Sequence, residues 1–197
     1  MAFQIIGIAL IALFVFYGMD IRRKKGSSNF VATPWLFLMK FLSFALIACF
    51  AAALFTLSKA DIVDWICLAL MASGTAFIIA AKKTLNTAHT FTGQFLDKPQ
   101  LVTRGVYSIT RNPLYFGVFQ CEIAAAVIVL RHATALWPNS YFPMLTILTL
   151  AMAYVVGFNL KMAKLESCYL HTFFGQSYSE YSARTPFLFP SFSLGGK

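Results

Sequence analysis

The sequence predicts an all-α integral membrane protein with about five transmembrane helices. Of its 197 residues, 59% are hydrophobic and only 12% are charged, and the mean hydropathy is +0.71. Soluble domains carry roughly 45–50% apolar and about 25% charged residues. Polar segments divide the apolar residues into runs that suit membrane-spanning helices. We therefore expect a single membrane domain over residues 1–197.

Five apolar runs account for the expected helices. The first is the shortest, roughly 17 residues against about 20 for a full span, and Asp20 with the basic residues 22–25 ends it. Trp35 opens the second run, and Lys82 and Lys83 close the third, as is typical of membrane interfaces. The runs cover residues 3–19, 35–57, 62–81, 113–130 and 141–160. Residues 1–81 thus hold three N-terminal helices, and residues 82–197 hold two more with the site.

The basic residues are distributed unequally between the two sides of the membrane. Of the 16 Lys and Arg, all but Lys40, Lys59 and Arg131 lie in segments 22–33, 82–112 and 161–197. Because cytoplasmic loops carry an excess of Lys and Arg, we expect the N-terminus outside and the C-terminus and active site in the cytosol. In a bacterium this would be the inner membrane.

The composition also excludes several classes of partner. The net charge of +9 favours anionic lipid headgroups over nucleic acid, because the basic residues form no continuous face. The four cysteines, at positions 49, 67, 121 and 168, show no paired spacing, so we expect no metal site and no disulfide framework. Nothing in the sequence indicates an oligomeric state.

Residues 101–117 form a polar, turn-rich segment between apolar runs. Pro113 suits the first position of a helix, and free N–H groups there, with Arg111 just before them, make a cradle for an anionic group. The preceding connection, residues 82–112, is longer than ordinary loops, which favours an ordered, functional loop. Apolar residues from Leu165 to Phe174 recur at helical spacing, so we expect a C-terminal helix that continues from the fifth span and ends near Gly175.

Two separated motifs resemble the isoprenylcysteine carboxyl methyltransferase family, which includes bacterial relatives and is akin to the phospholipid methyltransferases. They are Leu-Val-Thr-Arg-Gly-Val-Tyr and Arg-Asn-Pro-Leu-Tyr-Phe-Gly within residues 101–117, and Glu166 followed by Phe-Gly-x-x-Tyr-x-x-Tyr at 174–181. The resemblance covers about residues 84–190. It implies an enzyme that binds S-adenosylmethionine in a cytosolic pocket, formed by the 82–112 loop and the C-terminal helix, and takes a hydrophobic or lipid-like substrate from the bilayer.

The resemblance also implies positions for the site residues. We expect Arg111 and Glu166 to be the catalytic pair, with Arg111 pairing with the cofactor carboxylate and Glu166 accepting from its amine or ribose. The family commonly has His where Asn112 stands, and because Asn cannot titrate near pH 7, Asn112 is expected to orient the cofactor. The expected cofactor contacts are Gln94, Pro99, Gln100, Leu101, Val102, Tyr107, Asn112, Pro113, Leu114, Tyr115 and Glu166.

The substrate-binding positions depart from the family pattern. True isoprenylcysteine enzymes place an Arg one helical turn before the Glu to hold the substrate carboxylate, and Met162 stands there instead. Lys161 can supply a point charge but lacks the bidentate fork of arginine. Glu122 lies at membrane depth, where a carboxylate must be paired or face a cavity. Both a place in a substrate tunnel and a structural hydrogen-bonded role remain open for it.

Several functions remain open at this stage. Methyl transfer to a carboxylate is favoured. A hydrophobic pocket also suits two other acceptors, the amine of a phospholipid ethanolamine, with Glu166 as the base, and a small thiol. An NADPH-dependent reductase of the sterol-reductase type and a non-enzymatic scaffold are the alternatives. His89 in the long loop can approach the cofactor or lie at the surface.

Overall fold

The computed structural model describes residues 1–18, 26–57, 59–86, 92–137 and 139–191. Asp20, the basic residues 22–25 and His89 therefore lie outside the described residues. In chain order the elements are α1 (Ala2–Gly18), β1 (Ser27–Asn29), α2 (Thr33–Thr56), α3 (Ile62–Leu85), β2 (Gln94–Leu96), a 3-10 turn (Gly105–Ser108), α4 (Pro113–Arg131), α5 (Ala133–Leu136), α6 (Tyr141–Phe174) and α7 (Gln176–Arg184).

Helices dominate the described structure, which confirms the predicted all-α membrane fold. Helices α2, α3, α4 and α6 are each long and apolar enough to cross a bilayer, and α1 is a shorter apolar helix of 17 residues. At 1.5 Å per residue, α1 is about 25 Å long, slightly less than the roughly 30 Å hydrocarbon core. The first of the five expected spans is therefore the marginal one.

Helix α6 is twice the length of the shortest helix that spans a membrane. Its 34 residues extend about 51 Å, so its C-terminal half continues well beyond the apolar layer. Gly175, with φ of +52°, ends the helix in a conformation that a side chain would disfavour, and α7 follows directly. This confirms the expected continuation of the fifth span into a polar helix.

Helices α3 and α4 pack with their backbones unusually close together. A Cβ atom built on Gly74 would lie 2.5 Å from the carbonyl oxygen of Gly117, and one on Gly117 would lie 2.5 Å from that of Gly74. Only glycine fits at both positions, and such close approach is typical of helix pairs in membranes. This contact fixes α4, whose N-terminus carries the predicted site.

Charged groups join the start of α3 to the end of α4. Asp61 caps α3 by accepting from the backbone N–H groups of Val63 and Asp64, and Asp64 accepts in return from the N–H of Asp61. Arg131 and His132, at the end of α4, both contact the buried Asp64 carboxylate. The pair of helices is thus tied at the end remote from the predicted site.

At the opposite end, two short strands close over the helices. β1 and β2 pair antiparallel, with Ser27 opposite Leu96 and Asn29 opposite Gln94. The connection 82–112 was expected to be a loop, whereas α3 extends to Leu85 and the connection contributes β2. Below this cap lies a core cluster from α2, α4 and α6, which consists of Leu36, Met39, Tyr115, Phe119, Phe158, Met162 and Ala163.

Candidate active site

A hollow opens between the long 82–112 connection, the start of α4, the polar half of α6 and α7. It encloses roughly 940 Å³ of space free of atoms, its open mouth included. We call it the site hollow. Its described lining residues are Leu85, Thr92, Phe95, Leu96, Pro99, Gln100, Leu101, Val102, Tyr107, Arg111, Asn112, Leu114, Tyr115, Glu166, Ser167, Tyr169, Leu170, Tyr178 and Tyr181.

Most of the cofactor residues expected from the sequence lie around this hollow. Two do not line it. Pro113 is fully buried as the first residue of α4, between the lining residues Asn112 and Leu114. The side chain of Gln94 donates to the Asn29 side chain at 3.2 Å, so it joins the two strands. The expected residues that do line the hollow are Pro99, Gln100, Leu101, Val102, Tyr107, Arg111, Asn112, Leu114, Tyr115 and Glu166.

The three expected substrate residues do not line the hollow. Lys161 is exposed on α6, and Met162 is 0% exposed in the core cluster beneath the hollow. Glu122 is buried farther along α4, where it accepts a hydrogen bond from Ser43 on α2 at 3.1 Å. No basic side chain therefore reaches the hollow from the helical turn that precedes Glu166.

Arg111 is held by the chain segment that follows α7. Its backbone N–H donates to the carbonyl of Pro186 at 2.9 Å, and its guanidinium lies 5.6 Å from the centre of the Phe187 ring, within cation–π range. Its Nε is buried and has no hydrogen-bond partner in the described part of the chain. A buried donor of this kind normally has a partner, so the guanidinium can still bind an acceptor.

Residues 185–191 form what we call the C-terminal strap. The Asn112 side-chain amide donates to the carbonyl of Phe187 at 2.7 Å, and the buried Thr110 hydroxyl donates to that of Leu188 at 2.8 Å. The N–H of Ser191 donates to the carbonyl of Ile109 at 3.0 Å. Asn112 thus lines the hollow and also anchors the strap against the start of α4.

Glu166 brings a carboxylate into the same hollow from α6. It interacts with the hydroxyl groups of Tyr115 and Tyr107, which line the opposite side. Burial raises the pKa of Tyr107 well above its usual value, and the negative charge of Glu166 raises it further. Tyr107 is therefore a neutral hydrogen-bonding group throughout the physiological range.

Tyr178 and Tyr181 line the hollow from α7. The Tyr181 hydroxyl donates to the backbone carbonyl of Tyr107 at 2.7 Å, and burial raises the pKa of Tyr181. The two tyrosines are three residues apart in the Phe-Gly-x-x-Tyr-x-x-Tyr motif, which places both on one helical face. This spacing is the sequence feature that indicates a shared position at the hollow.

The other lining residues that sequence reasoning missed are Leu85, Thr92, Phe95, Leu96, Ser167, Tyr169 and Leu170. Tyr169 and Leu170 lie three and four residues after Glu166, so they share its helical face and were predictable. Phe95 and Leu96 reach the hollow through the pairing of β2 with β1, for which the local sequence gave no indication.

The comparisons with known proteins bear on this geometry. The family model for phospholipid methyltransferases matches residues 62–177, well over half of the chain. The chain belongs to the phospholipid methyltransferase family. The match runs from the start of α3 to the start of α7, and it confirms the resemblance to this group of related membrane methyltransferases. Neither the search of curated proteins nor the search of solved structures gave a match.

Membership in the phospholipid methyltransferase family has direct consequences for function. The protein is an integral membrane methyltransferase, and the family indicates a lipid-like substrate and S-adenosylmethionine as the methyl donor. The residues of the site hollow fit such a donor. The Arg111 guanidinium suits its carboxylate, the Glu166 carboxylate suits its amine or ribose, and the tyrosines suit its adenine and its cationic sulfur.

Proposed function

We propose that this protein transfers a methyl group from S-adenosylmethionine, bound in the site hollow, to the amine of a lipid-like acceptor at the cytosolic membrane surface. The observation that carries the proposal is the meeting of opposite charges in one hollow. Arg111, from the mouth of α4, and Glu166, from α6, both line it together with five tyrosines. The cofactor supplies an electrophilic methyl group, and the protein supplies alignment and exclusion of water.

The start of α4 supplies the anion-binding part of the site. Helix α4 begins at Pro113, and its N-cap residue Asn112 makes no side-chain capping bond. The first N–H groups of the helix and their partial positive charge are therefore unpaired beside the lining residues Leu114 and Tyr115. Arg111 stands next to them with a free donor. Together they are expected to hold the cofactor carboxylate, and the strap keeps Arg111 in the required orientation.

The distribution of charge favours an amine acceptor over a carboxylate. Arg111 is the one basic side chain among the described residues that line the hollow, and the cofactor carboxylate is expected to occupy it. Met162, at the position where related enzymes hold a substrate carboxylate, is fully buried and apolar. Glu166 instead attracts a cation, and it can take the proton that an ammonium group must lose before it attacks a methyl group.

A reductase that uses NADPH is disfavoured by the same charges. The additional phosphate of NADPH requires basic side chains, and the described lining offers only Arg111. Titration of the purified protein with S-adenosylhomocysteine and, separately, with NADPH distinguishes the two. Binding of NADPH alone would overturn the proposal.

The decisive experiment combines binding with turnover. Calorimetric titration with S-adenosylhomocysteine is expected to show affinity at least about tenfold weaker for Glu166→Gln, because a charge-assisted hydrogen bond is lost. Glu180→Gln, the same change at an exposed position on α7, serves as the matched control and should bind as the wild type does.

The acceptor is tested with labelled S-adenosylmethionine and two defined substrates. Vesicles that contain phosphatidylethanolamine are expected to become labelled in the headgroup amine, whereas a farnesylated cysteine derivative is not. Labelling of the cysteine derivative alone would replace the amine with a carboxylate. Labelling of neither, with cofactor bound, would show that the acceptor class is wrong while the cofactor assignment holds.

A further inference from the structure

Glu122 lies outside the site hollow, and it has an unsatisfied carboxylate oxygen. It is nine residues beyond the start of α4, or about 13 Å along the helix axis, inside the membrane-spanning part. Its residue exposure is 4%. One oxygen accepts from the Ser43 hydroxyl at 3.1 Å, but Oε2 is buried and has no hydrogen-bond partner in the described part of the chain. A buried group of this kind is costly unless something pairs with it.

Glu122 lines a small cavity that shares two lining residues with a larger groove. The smaller cavity, roughly 330 Å³ with its opening, is lined by Glu122 and Ser43 and by apolar residues of α1 to α4. The groove, roughly 620 Å³ with its opening, lies between α2, α4 and α6. Ser43 and Leu46 line both the cavity and the groove. The polar side of the cavity is therefore next to the apolar groove. Neither shares a described residue with the site hollow.

The lining of the groove specifies an apolar occupant. Leu42 and Cys49 from α2, Val129 from α4 and Met144 and Met152 from α6 are representative, and Ser43 is the one hydroxyl-bearing residue in its described lining. The groove therefore suits a hydrocarbon chain. The polar group at the end of that chain must be one that can hydrogen-bond with Glu122.

We propose that the groove and Glu122 together form a binding site for a long-chain aliphatic alcohol. A hydroxyl both donates and accepts, so it satisfies Oε2 whether Glu122 is ionised or protonated. An ether or an ester oxygen only accepts, and an ammonium group only donates. In the surrounding lipid a hydroxyl at this depth has no partner, so its pairing with Glu122 favours the bound position. This site is separate from the proposed methyl-transfer site.

Photolabelling tests the site. A long-chain alcohol with a diazirine in its chain, and the methyl ether of the same molecule, are incubated with the full-length protein reconstituted in vesicles. The labelled peptides are then identified by mass spectrometry. The alcohol is expected to label α2, α4 and α6 along the groove, and an excess of unlabelled dodecanol should compete. The methyl ether is expected to label the same peptides about tenfold less, because it cannot donate to Oε2.

Two substitutions separate the polar contact from the groove itself. Glu122→Leu, of similar size, should reduce alcohol labelling about tenfold without changing the weak labelling by the ether. Ala151→Trp, which fills the groove and retains Glu122, should reduce labelling by both probes. Thermal unfolding verifies that each variant is folded, and Ala151→Trp keeps the proposal testable if Glu122→Leu does not fold.

The outcomes are decisive in both directions. Equal labelling by alcohol and ether, or labelling that Glu122→Leu leaves unchanged, would mean that the groove holds ordinary lipid chains and that water fills the gap beside Glu122. Either result would overturn the proposal. Because the groove and the site hollow share no described residue, neither result would alter the test of methyl transfer.

Discussion

Arg111 and Asn112 lie next to each other at the start of α4 but have different tasks. The Asn112 amide donates to Phe187 and anchors the strap, whereas the Arg111 guanidinium lies against the Phe187 ring and keeps an unpaired Nε. The strap therefore orients the arginine without using its hydrogen-bonding capacity. Glu166 completes the arrangement from α6. At the scale of single residues, the site consists of one free donor, one carboxylate and tyrosines between them.

Replacing Arg111 should weaken cofactor binding. Arg111→Met removes the charged donor and is expected to lower the affinity for S-adenosylhomocysteine about tenfold or more, since charge-assisted hydrogen bonds are the strong ones. Calorimetric titration measures the change. Arg104→Met is the control, because Arg104 is exposed and lies outside the described lining of the hollow. A loss of equal size in both variants would indicate a general electrostatic effect and contradict the assigned role.

The buried tyrosines predict a loss of stability at high pH. Burial raises the pKa of Tyr107 above its usual value near 10, so below about pH 10 it is neutral in both the folded and the unfolded protein. Above that pH the unfolded chain ionises first, which favours unfolding. The free energy of unfolding should therefore decrease as pH rises through about 10, and less steeply for Tyr107→Phe.

Thermal unfolding in detergent between about pH 8 and about pH 11 measures this dependence, because the range brackets the ordinary tyrosine pKa. Above about pH 10 the stability of the wild type should fall more steeply than that of Tyr107→Phe. If the two curves stay parallel, Tyr107 titrates at its ordinary pKa in the folded protein, and its proposed burial beside Glu166 is incorrect.

The packed helices α3 and α4 together support the site. Gly74 and Gly117 bring their backbones together, and Asp61, Asp64, Arg131 and His132 fasten their other ends. The position of the α4 N-terminus, and with it Arg111, follows from this packing. The packing of α3 against α4 therefore positions the start of α4 at the hollow, and the strap holds the residues that precede this start.

A methyl group between these helices should be destabilising. Gly74→Ala places a Cβ atom 2.5 Å from the Gly117 carbonyl oxygen, and overpacking of this kind costs roughly 1–3 kcal/mol. Gly157→Ala on α6 is the matched control, because nothing lies within 4 Å of its added Cβ. It should be neutral or slightly stabilising, since alanine favours helix. Thermal unfolding compares the two, and equal stability would contradict the tight α3–α4 contact.

The elements differ in how far the sequence predicts them. Pro113 and Gly175 mark a helix start and a helix end through their own backbone preferences, so α4 and α6 were predicted closely. The β1–β2 pair depends on three-residue strands that lie far apart in the chain, and no local pattern indicates such pairing. The contact of Gly74 with Gly117 and the anchoring of the strap by Thr110 depend equally on tertiary proximity. The lining from the start of α4 and from Glu166 on α6 was therefore predicted, and the lining from β2 was not.

At the scale of the whole molecule, one end of the helix bundle carries the site and the other carries an ion-pair network. The strands, the 3-10 turn, α7 and the strap all lie at the site end, together with most of the described Lys and Arg. The opposite end holds Lys59 and Arg131. Since the positive-inside rule follows the basic residues, we propose that the site end faces the cytosol.

Cysteine accessibility tests this orientation. In a variant without the four native cysteines, a cysteine at position 59 should react with a membrane-impermeant maleimide in intact cells. A cysteine at position 104 should react only after the membrane is permeabilised. Both positions are exposed in the structure, so a failure to react reflects the membrane and not burial. The reverse pattern would place the site outside the cell.

The position of the strap along the chain has a consequence for biosynthesis. Residues 185–191 leave the ribosome after the described helices α1 to α7 have been made, yet they supply the carbonyl groups that bind Thr110, Arg111 and Asn112. All the spans can therefore be inserted while the mouth of α4 is still unsecured. A nascent chain in the translocon should not retain the methyl donor until the strap has been made, so premature methylation by shorter chains is avoided.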